Sequence, residues 1–243
     1  MVKHTIHINP IIKFLFKNYF KKILKKNFSA IFLKGNSKCL EAINLSKTEK
    51  IPIVFTMNHT NWWDGILVPY LAYCHYKLKG FVLMEYKQLK DHPYFNKIGA
   101  IPIIREDPRK SFASLKFCIN NLNNTSKCLF IFPQGELVYK EKQPLIFFTG
   151  AAYIIEKLKK SILININTYI KYKSEQYPYI YIDIFKVREI YIDETFNRKI
   201  FTLKTEEEYN NERKKFNIEF EKDELKGYEI ILKGRKSIDK RWK

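Results

Sequence analysis

Between residues 28 and 187, short apolar runs alternate with stretches of helical periodicity, and this alternation limits the fold more than any other feature of the chain. The runs at 28–33, 51–57, 81–84, 101–104, 128–132, 162–166 and 180–187 have the length and composition of buried strands. Helices are expected at 37–45, 63–76, 111–122 and 151–159. Such a pattern predicts an α/β fold, with a central, mostly parallel sheet flanked by helices. Residues 202–225 are highly charged and read as a solvated helix. The basic tail beyond Gly234 suggests no role.

Composition narrows the partners. Of the 243 residues, 46% are hydrophobic, a globular balance, and the formal net charge is +19. A basic surface attracts phospholipid headgroups, nucleic acid or an acidic carrier protein. Lysines outnumber arginines 37 to 7, so a general Lys/Asn/Ile bias is the competing source of that charge. Beyond bulk charge there is no nucleic-acid fold signature, and no nucleic-acid partner is expected. Cys39, Cys74, Cys118 and Cys128 form no CxxC pair and have no histidine at ligand spacing, which argues for reduced thiols, no metal and a cytosolic setting. The first residues carry no apolar signal core, and no run reaches the ~18–20 apolar residues that span a bilayer.

Residues 10–26 read as a basic amphipathic helix opened by Pro10. Ile12, Phe16, Tyr19, Phe20 and Ile23 form one apolar stripe, and Lys13, Lys17, Lys21, Lys22, Lys25 and Lys26 fill the rest of the circumference. The pattern fits a helix lying in a membrane interface against anionic headgroups, and equally one docked on its own domain by that stripe. Phe14, Leu15 and Leu24 widen the apolar surface beyond one docking face, which favours the membrane. The chain is therefore divided into an interface helix (1–27), a catalytic domain (28–200, with its motif core at 51–170) and a charged helix with a basic tail (201–243). It is expected on the cytoplasmic side of a membrane as a peripheral, monotopic protein.

The strand at 51–57 runs directly into Asn58-His59-Thr60-Asn61-Trp62-Trp63-Asp64. His59 and Asp64 thus emerge where a strand ends, which is where open α/β sheets place their chemistry. An imidazole beside a carboxylate can act as an oriented general base, since the carboxylate fixes the tautomer and balances the imidazolium. A loop histidine followed by a helix N-cap has the same spacing. His75, between aromatics in a helix, and His92, before Pro93, read as structural or solvent-exposed.

The order of motifs is more specific. The 58–64 segment resembles the N-H-x-S-x-x-D block of the glycerolipid (lysophospholipid, PlsC-type) acyltransferases. Gly99-Ala100-Ile101-Pro102-Ile103-Ile104-Arg105 is similar to that family's G-x-I-P-I-x-R strand, and Phe132-Pro133-Gln134-Gly135-Glu136 to its F-P-E-G-[ST]-R block. Phe147-Phe148-Thr149-Gly150-Ala151-Ala152 is similar to the F-K-x-G-A segment that follows. The resemblance covers about residues 51–170. It implies a glycerolipid acyltransferase-like fold and transfer of a fatty acyl group from a CoA or acyl-carrier-protein thioester to a hydroxyl of a lipid acceptor. No cofactor is implied beyond the thioester as co-substrate. His59 is then the base and Asp64 its orienting partner. The acceptor itself attacks, so no serine or cysteine nucleophile is required. Substrate binding falls to Arg105, Pro133, Gln134, Gly135, Glu136 and Asn61. Arg105 is a candidate for a phosphate, or else for an ion pair with Glu106 or Asp107. Gly135 either admits a close backbone approach or simply turns the chain. Backbone N–H groups near Gly135 or just after Asn61 are candidates for the oxyanion.

The departures bear on the acceptor. Gln134 stands where the family usually has Glu, Leu137 where it has Arg, Phe148 where it has Lys and Asn61 where it has Ser. Asn61 can still cap the helix carrying Asp64. Lys140 and Lys142 are the nearest replacement cations. The resemblance implies a 1-acylglycerol-3-phosphate O-acyltransferase-like enzyme, and these departures leave open a different acceptor, such as another lysolipid, a lipoamino acid or a glycosylated lipid. A catalytically inactive lipid-binding protein would have no use for the dyad, and a hydrolase would need a G-x-S-x-G elbow that is absent. Trp62 and Trp63 either brace the site mouth or pack.

Overall fold

The computed structural model describes residues 8–139 and 144–238. Its centre is an eight-stranded sheet built from β1 (Ala30–Lys34), β2 (Ile53–Met57), β3 (Gly80–Glu85), β4 (Ala100–Ile103), β5 (Cys128–Ile131), β6 (Lys160–Lys171), β7 (Tyr179–Tyr191) and β8 (Glu229–Lys233), in the order β4-β3-β5-β2-β6-β7-β1-β8. Neighbours are parallel except for the β6–β7 and β1–β8 pairs. The expected α/β class with a mostly parallel, helix-flanked sheet is what the chain forms.

The apolar runs become strands because both of their faces are covered. Ile53, Phe55 and Met57 of β2 turn to one side, under α1 (Pro10–Asn27), α2 (Asn36–Glu49) and α3 (Asp64–Pro69). Val54 turns to the other, under α5 (Pro108–Leu122) and α6 (Gly150–Leu158). A strand with no solvent face shows no polar alternation, which is why β2 and β5 read as unbroken apolar segments. Caps set the helix starts: Asn9 accepts the N–H of Ile11 and Ile12 at 3.0 and 3.1 Å, and Asp107 that of Lys110 at 3.1 Å, each before a proline.

Three elements depart from the expectations. The helix expected at 63–76 is α3 followed by a wider π turn, Tyr70–His75, with Pro69 at the junction. A short helix α4 (Tyr86–Asp91) and a 3₁₀ turn (Pro93–Ile98) fill the connection between β3 and β4. The charged C-terminal helix α7 (Arg198–Glu221) is not merely solvated: Thr202, Thr205, Tyr209, Arg213 and Phe216 are buried along one face. Beyond it, the chain returns to add β8 at the sheet edge.

α1 is docked. Phe20 and Leu24 are fully buried, Ile12, Phe16 and Ile23 pack beside them, and Phe16 stacks on Tyr94 with ring centroids 4.9 Å apart. The stripe read from sequence is therefore the intramolecular face, apart from Tyr19. A second group, Ile11 (72% exposed), Phe14 (64%), Leu15 (60%) and Tyr19, faces outward with Lys22, Lys25 and Lys26. Among the described residues, no helix is long and apolar enough to cross a membrane.

Candidate active site

The site is built where the parallel strands β2, β5, β3 and β4, neighbours in that order, end along one edge of the sheet. β2 hands over to Asn58, whose fully buried amide is tied across to β6. Its Oδ1 accepts the N–H of Thr168 at 2.7 Å, and its Nδ2 donates to the Thr168 carbonyl at 3.1 Å. These bonds close the strand end and aim the next residue, His59, out of the sheet.

Residues 60–64 then fold around the Asp64 carboxylate, which is 2% exposed. Oδ2 accepts the N–H groups of Thr60 and Asn61, both at 3.1 Å, and lies 2.9 Å from His59 Nδ1. Oδ1 accepts the Thr168 hydroxyl at 3.4 Å. A buried carboxylate needs such donors to stay charged, and each bond to it is stronger than a neutral one. Because Oδ2 is the acceptor throughout, His59 Nδ1 is the donor in the pair, which leaves the Nε2 lone pair free. The imidazole lies flat against Phe132, with centroids 4.2 Å apart at 24°. Asp64 thus contacts the histidine and accepts the bonds that shape the turn into α3, but it is the first residue of that helix and not its N-cap. Asn61 Oδ1 accepts the Trp63 N–H at 3.1 Å, a turn bond rather than a helix cap.

β5 supplies the second wall. Gln134 is buried, and both ends of its amide engage the His59 peptide: Oε1 accepts the His59 N–H at 2.6 Å, and Nε2 donates to the His59 carbonyl at 3.3 Å. Val138 N–H reaches the same carbonyl at 2.9 Å. A glutamate could accept from the N–H but, ionised, could not donate to the carbonyl. The substitution at Gln134 is therefore matched to the backbone of His59, and its side chain is spent there. Gly135 has φ +70°, and a Cβ would lie 2.9 Å from the Phe148 ring, so both conformation and space call for glycine. The Pro133 carbonyl accepts the Phe148 N–H at 2.8 Å, strapping 147–148 to this turn. Gly135 N–H already donates to the Phe132 carbonyl, as Thr60 and Asn61 do to Asp64, so these three N–H groups are not available for an oxyanion.

Arg105 follows β4 and faces two carboxylates, neither of them the one expected. Its Nε is 2.8 Å from Glu85 at the end of β3, and its Nη1 is 3.1 Å from Glu136. Glu106 pairs with Lys87 at 2.7 Å instead, and Asp107 with Lys110 at 3.0 Å. Partial burial works to lower the Arg105 pKa, but the bonds and charges of Glu85 and Glu136 outweigh it and hold the guanidinium above its ordinary value. Trp63 packs edge-on against Phe28, while Trp62 is exposed. Lys140, Lys142, His4, His7 and most of the basic tail lie outside the described residues.

The model of the Acyltransferase family matches residues 38–170. The chain belongs to that family. The matched span covers β2 through most of β6 and includes every site residue named above from His59 to Thr168. No individual curated protein matches the chain. Burial pushes the Cys39, Cys118 and Cys128 thiols up to about 12, where they are not thiolates at neutral pH. His75 is half-buried, 3.4 Å from Asn36; burial lowers its pKa against the pull of Glu229.

Sequence reasoning passed over Thr168, Phe132, Glu85 and Tyr209. Tyr209, from α7, is fully buried and donates its hydroxyl to the Thr56 carbonyl at 2.6 Å while accepting the Ile166 N–H at 3.1 Å. It thus holds β2 and β6 in place one turn below His59. A 3–4–4–3 spacing of 202, 205, 209, 213 and 216 was the available signal.

Proposed function

We propose that this acyltransferase moves a fatty acyl group from a CoA or acyl-carrier-protein thioester to a hydroxyl of a lysophospholipid-like acceptor, with His59 as general base and Asp64 as its orienting partner. The observation that carries the reading is the 2.9 Å contact between His59 Nδ1 and a carboxylate fixed by three other donors, with Nε2 unpaired among the described residues. His59 Nε2 removes the acceptor's proton as its oxygen attacks the thioester carbonyl. Asp64 stabilises the imidazolium. Collapse of the tetrahedral intermediate breaks the C–S bond, and the imidazolium returns the proton to the departing thiolate. Phe132 and the Gln134 bonds hold the ring and the peptide of the base, so little reorganisation accompanies proton transfer. The test is turnover of purified protein with acyl donors and a lysolipid panel. Transfer by the wild type that is lost in His59→Ala supports the reading, and equal turnover in the variant overturns it.

The outward face of α1 supports peripheral membrane association, with Ile11, Phe14, Leu15 and Tyr19 among acyl chains and the lysines against anionic headgroups. Removing residues 1–27 would strip Phe20 and Leu24 from the core, so a sharper test is Phe14→Glu with Leu15→Glu. The pair should weaken co-sedimentation with anionic vesicles without shifting the thermal midpoint; unchanged binding counts against the proposal.

A further inference from the structure

We propose that Glu136 makes this site select lysolipid acceptors whose headgroup carries an ammonium, and turn away phosphate monoesters; the proposal rests on the acyl-transfer reading above. Glu136 belongs to the same loop as the base's supports, since Gln134 and Val138, on either side of it, both bond the His59 backbone. A headgroup carried on the glycerol carbon next to the reacting hydroxyl is therefore placed toward this loop.

Among the described residues, the charge there is set against an anion. Arg105 is shared by Glu85 and Glu136, so the three groups sum to one negative charge, and the adjoining Lys87–Glu106 pair adds none. Two of the five guanidinium N–H groups, one on Nε and one on Nη1, go to these carboxylates. Two acceptor positions take no part in these bonds. Glu136 uses only Oε2 and is more than half exposed, and Glu85 Oε1 is buried without a hydrogen-bond partner. A buried acceptor of this kind calls for a donor. A phosphate monoester, with a charge of about −1.5 to −2 at neutral pH, would meet Arg105 only beside the two carboxylates that already neutralise it, and would be repelled by both. An ammonium instead completes the set without breaking either pair. Specificity then comes from repulsion of the wrong headgroup as much as from attraction of the right one.

The test is acyl transfer by the full chain in neutral-detergent mixed micelles to lysophosphatidylethanolamine, lysophosphatidylglycerol and lysophosphatidate. The first two share a phosphodiester and differ in the amine; the third is the monoester. The wild type should rank them in that order, with kcat/KM for the first about tenfold above the last. Glu136→Thr, and Glu136→Gln as the variant closest in shape, should collapse that ratio toward one. A wild-type preference for lysophosphatidate, equal use of the two diesters, or a ratio unmoved by both substitutions overturns the proposal. Transfer to none of the three by folded wild type, with any thioester, overturns the acyl-transfer reading instead, and this proposal with it.

Discussion

Asp64 and Asp183 are equally buried, each 2% exposed, yet their surroundings are opposite. Asp64 is encircled by donors: two backbone N–H groups, a hydroxyl and an imidazole. Asp183, on β7, has only Lys34 at 3.8 Å and the Tyr228 hydroxyl beside it among the described residues, with no backbone N–H aimed at it. Burial alone therefore does not distinguish the two carboxylates. What does is the number of donors aimed at each. At Asp64 the backbone itself has been bent to supply them.

The largest effect expected of that difference is on turnover. His59→Ala should lower kcat by at least ~10²-fold, and Asp64→Asn by a similar order, since the amide both loses the charge and can present an N–H to a donor. Steady-state kinetics on folded variants decide it, and a near-normal rate in Asp64→Asn would reduce Asp64 to a turn-shaping residue. Next comes stability. Asp64→Asn should cost about 1–3 kcal/mol, because the Thr60 and Asn61 N–H groups lose a charged acceptor, and urea midpoints measure it. Tyr209→Phe should fall in the same range at its lower end, about 1–2 kcal/mol, with the Ile166 N–H left unsatisfied inside the sheet. If Tyr209→Phe were neutral, the hydroxyl would not be what joins β2 to β6 below the site.

The smallest effect has the opposite sign. Burial raises the Asp183 carboxyl above its ordinary value, with Lys34 pulling the other way and Glu212 adding to the rise. The folded state therefore holds this proton where the unfolded chain has lost it. Its contribution is complete below the ordinary carboxylate range and disappears as pH climbs through the raised value. Asp183→Asn, neutral at every pH, should be the more stable protein at pH 7 and lose its advantage in acid. Denaturant titrations at several pH values follow the gap. A variant less stable than wild type at pH 7 would show that the Lys34 attraction outweighs the burial of the charge.

How much was legible depends on which residues carry the burial. β2, β4 and β5 announce themselves because Ile, Val, Leu and Phe cover both faces of the sheet. The dyad was legible because both partners lie in one loop, five residues apart. Thr168 was not, since it meets Asp64 from 104 residues away and nothing local to it signals a site. α7 was misjudged because its inner face is made of Thr, Tyr and Arg, which average to a polar helix even though Tyr209 is fully enclosed. β8 escaped because a five-residue edge strand with one buried residue, set among charges, has no alternation to detect. α1 was split between two readings because it has two apolar faces, and the structure assigns the docked one to Phe16, Phe20 and Leu24.

The bracketing of β1 between β7 and β8 also sets the order in which the protein can be completed. β1 is the first strand to be synthesised, but its two edges wait for residues 179–183 and 229–233. Just past the second of these, Gly234 and Arg235 donate to the Ser29 and Phe28 carbonyls, where a Cβ on Gly234 would lie 2.0 Å from the Phe28 carbonyl oxygen. Phe28 in turn supports Trp63, beside the His59–Asp64 turn. During translation the parallel strands carrying His59 and Gln134, and the seat of α1 on Tyr94 and its neighbours, can assemble early, while β1 stays unpaired until residues 179–183 and 229–233 have emerged. A nascent chain halted before residue 229 would leave one edge of β1 open.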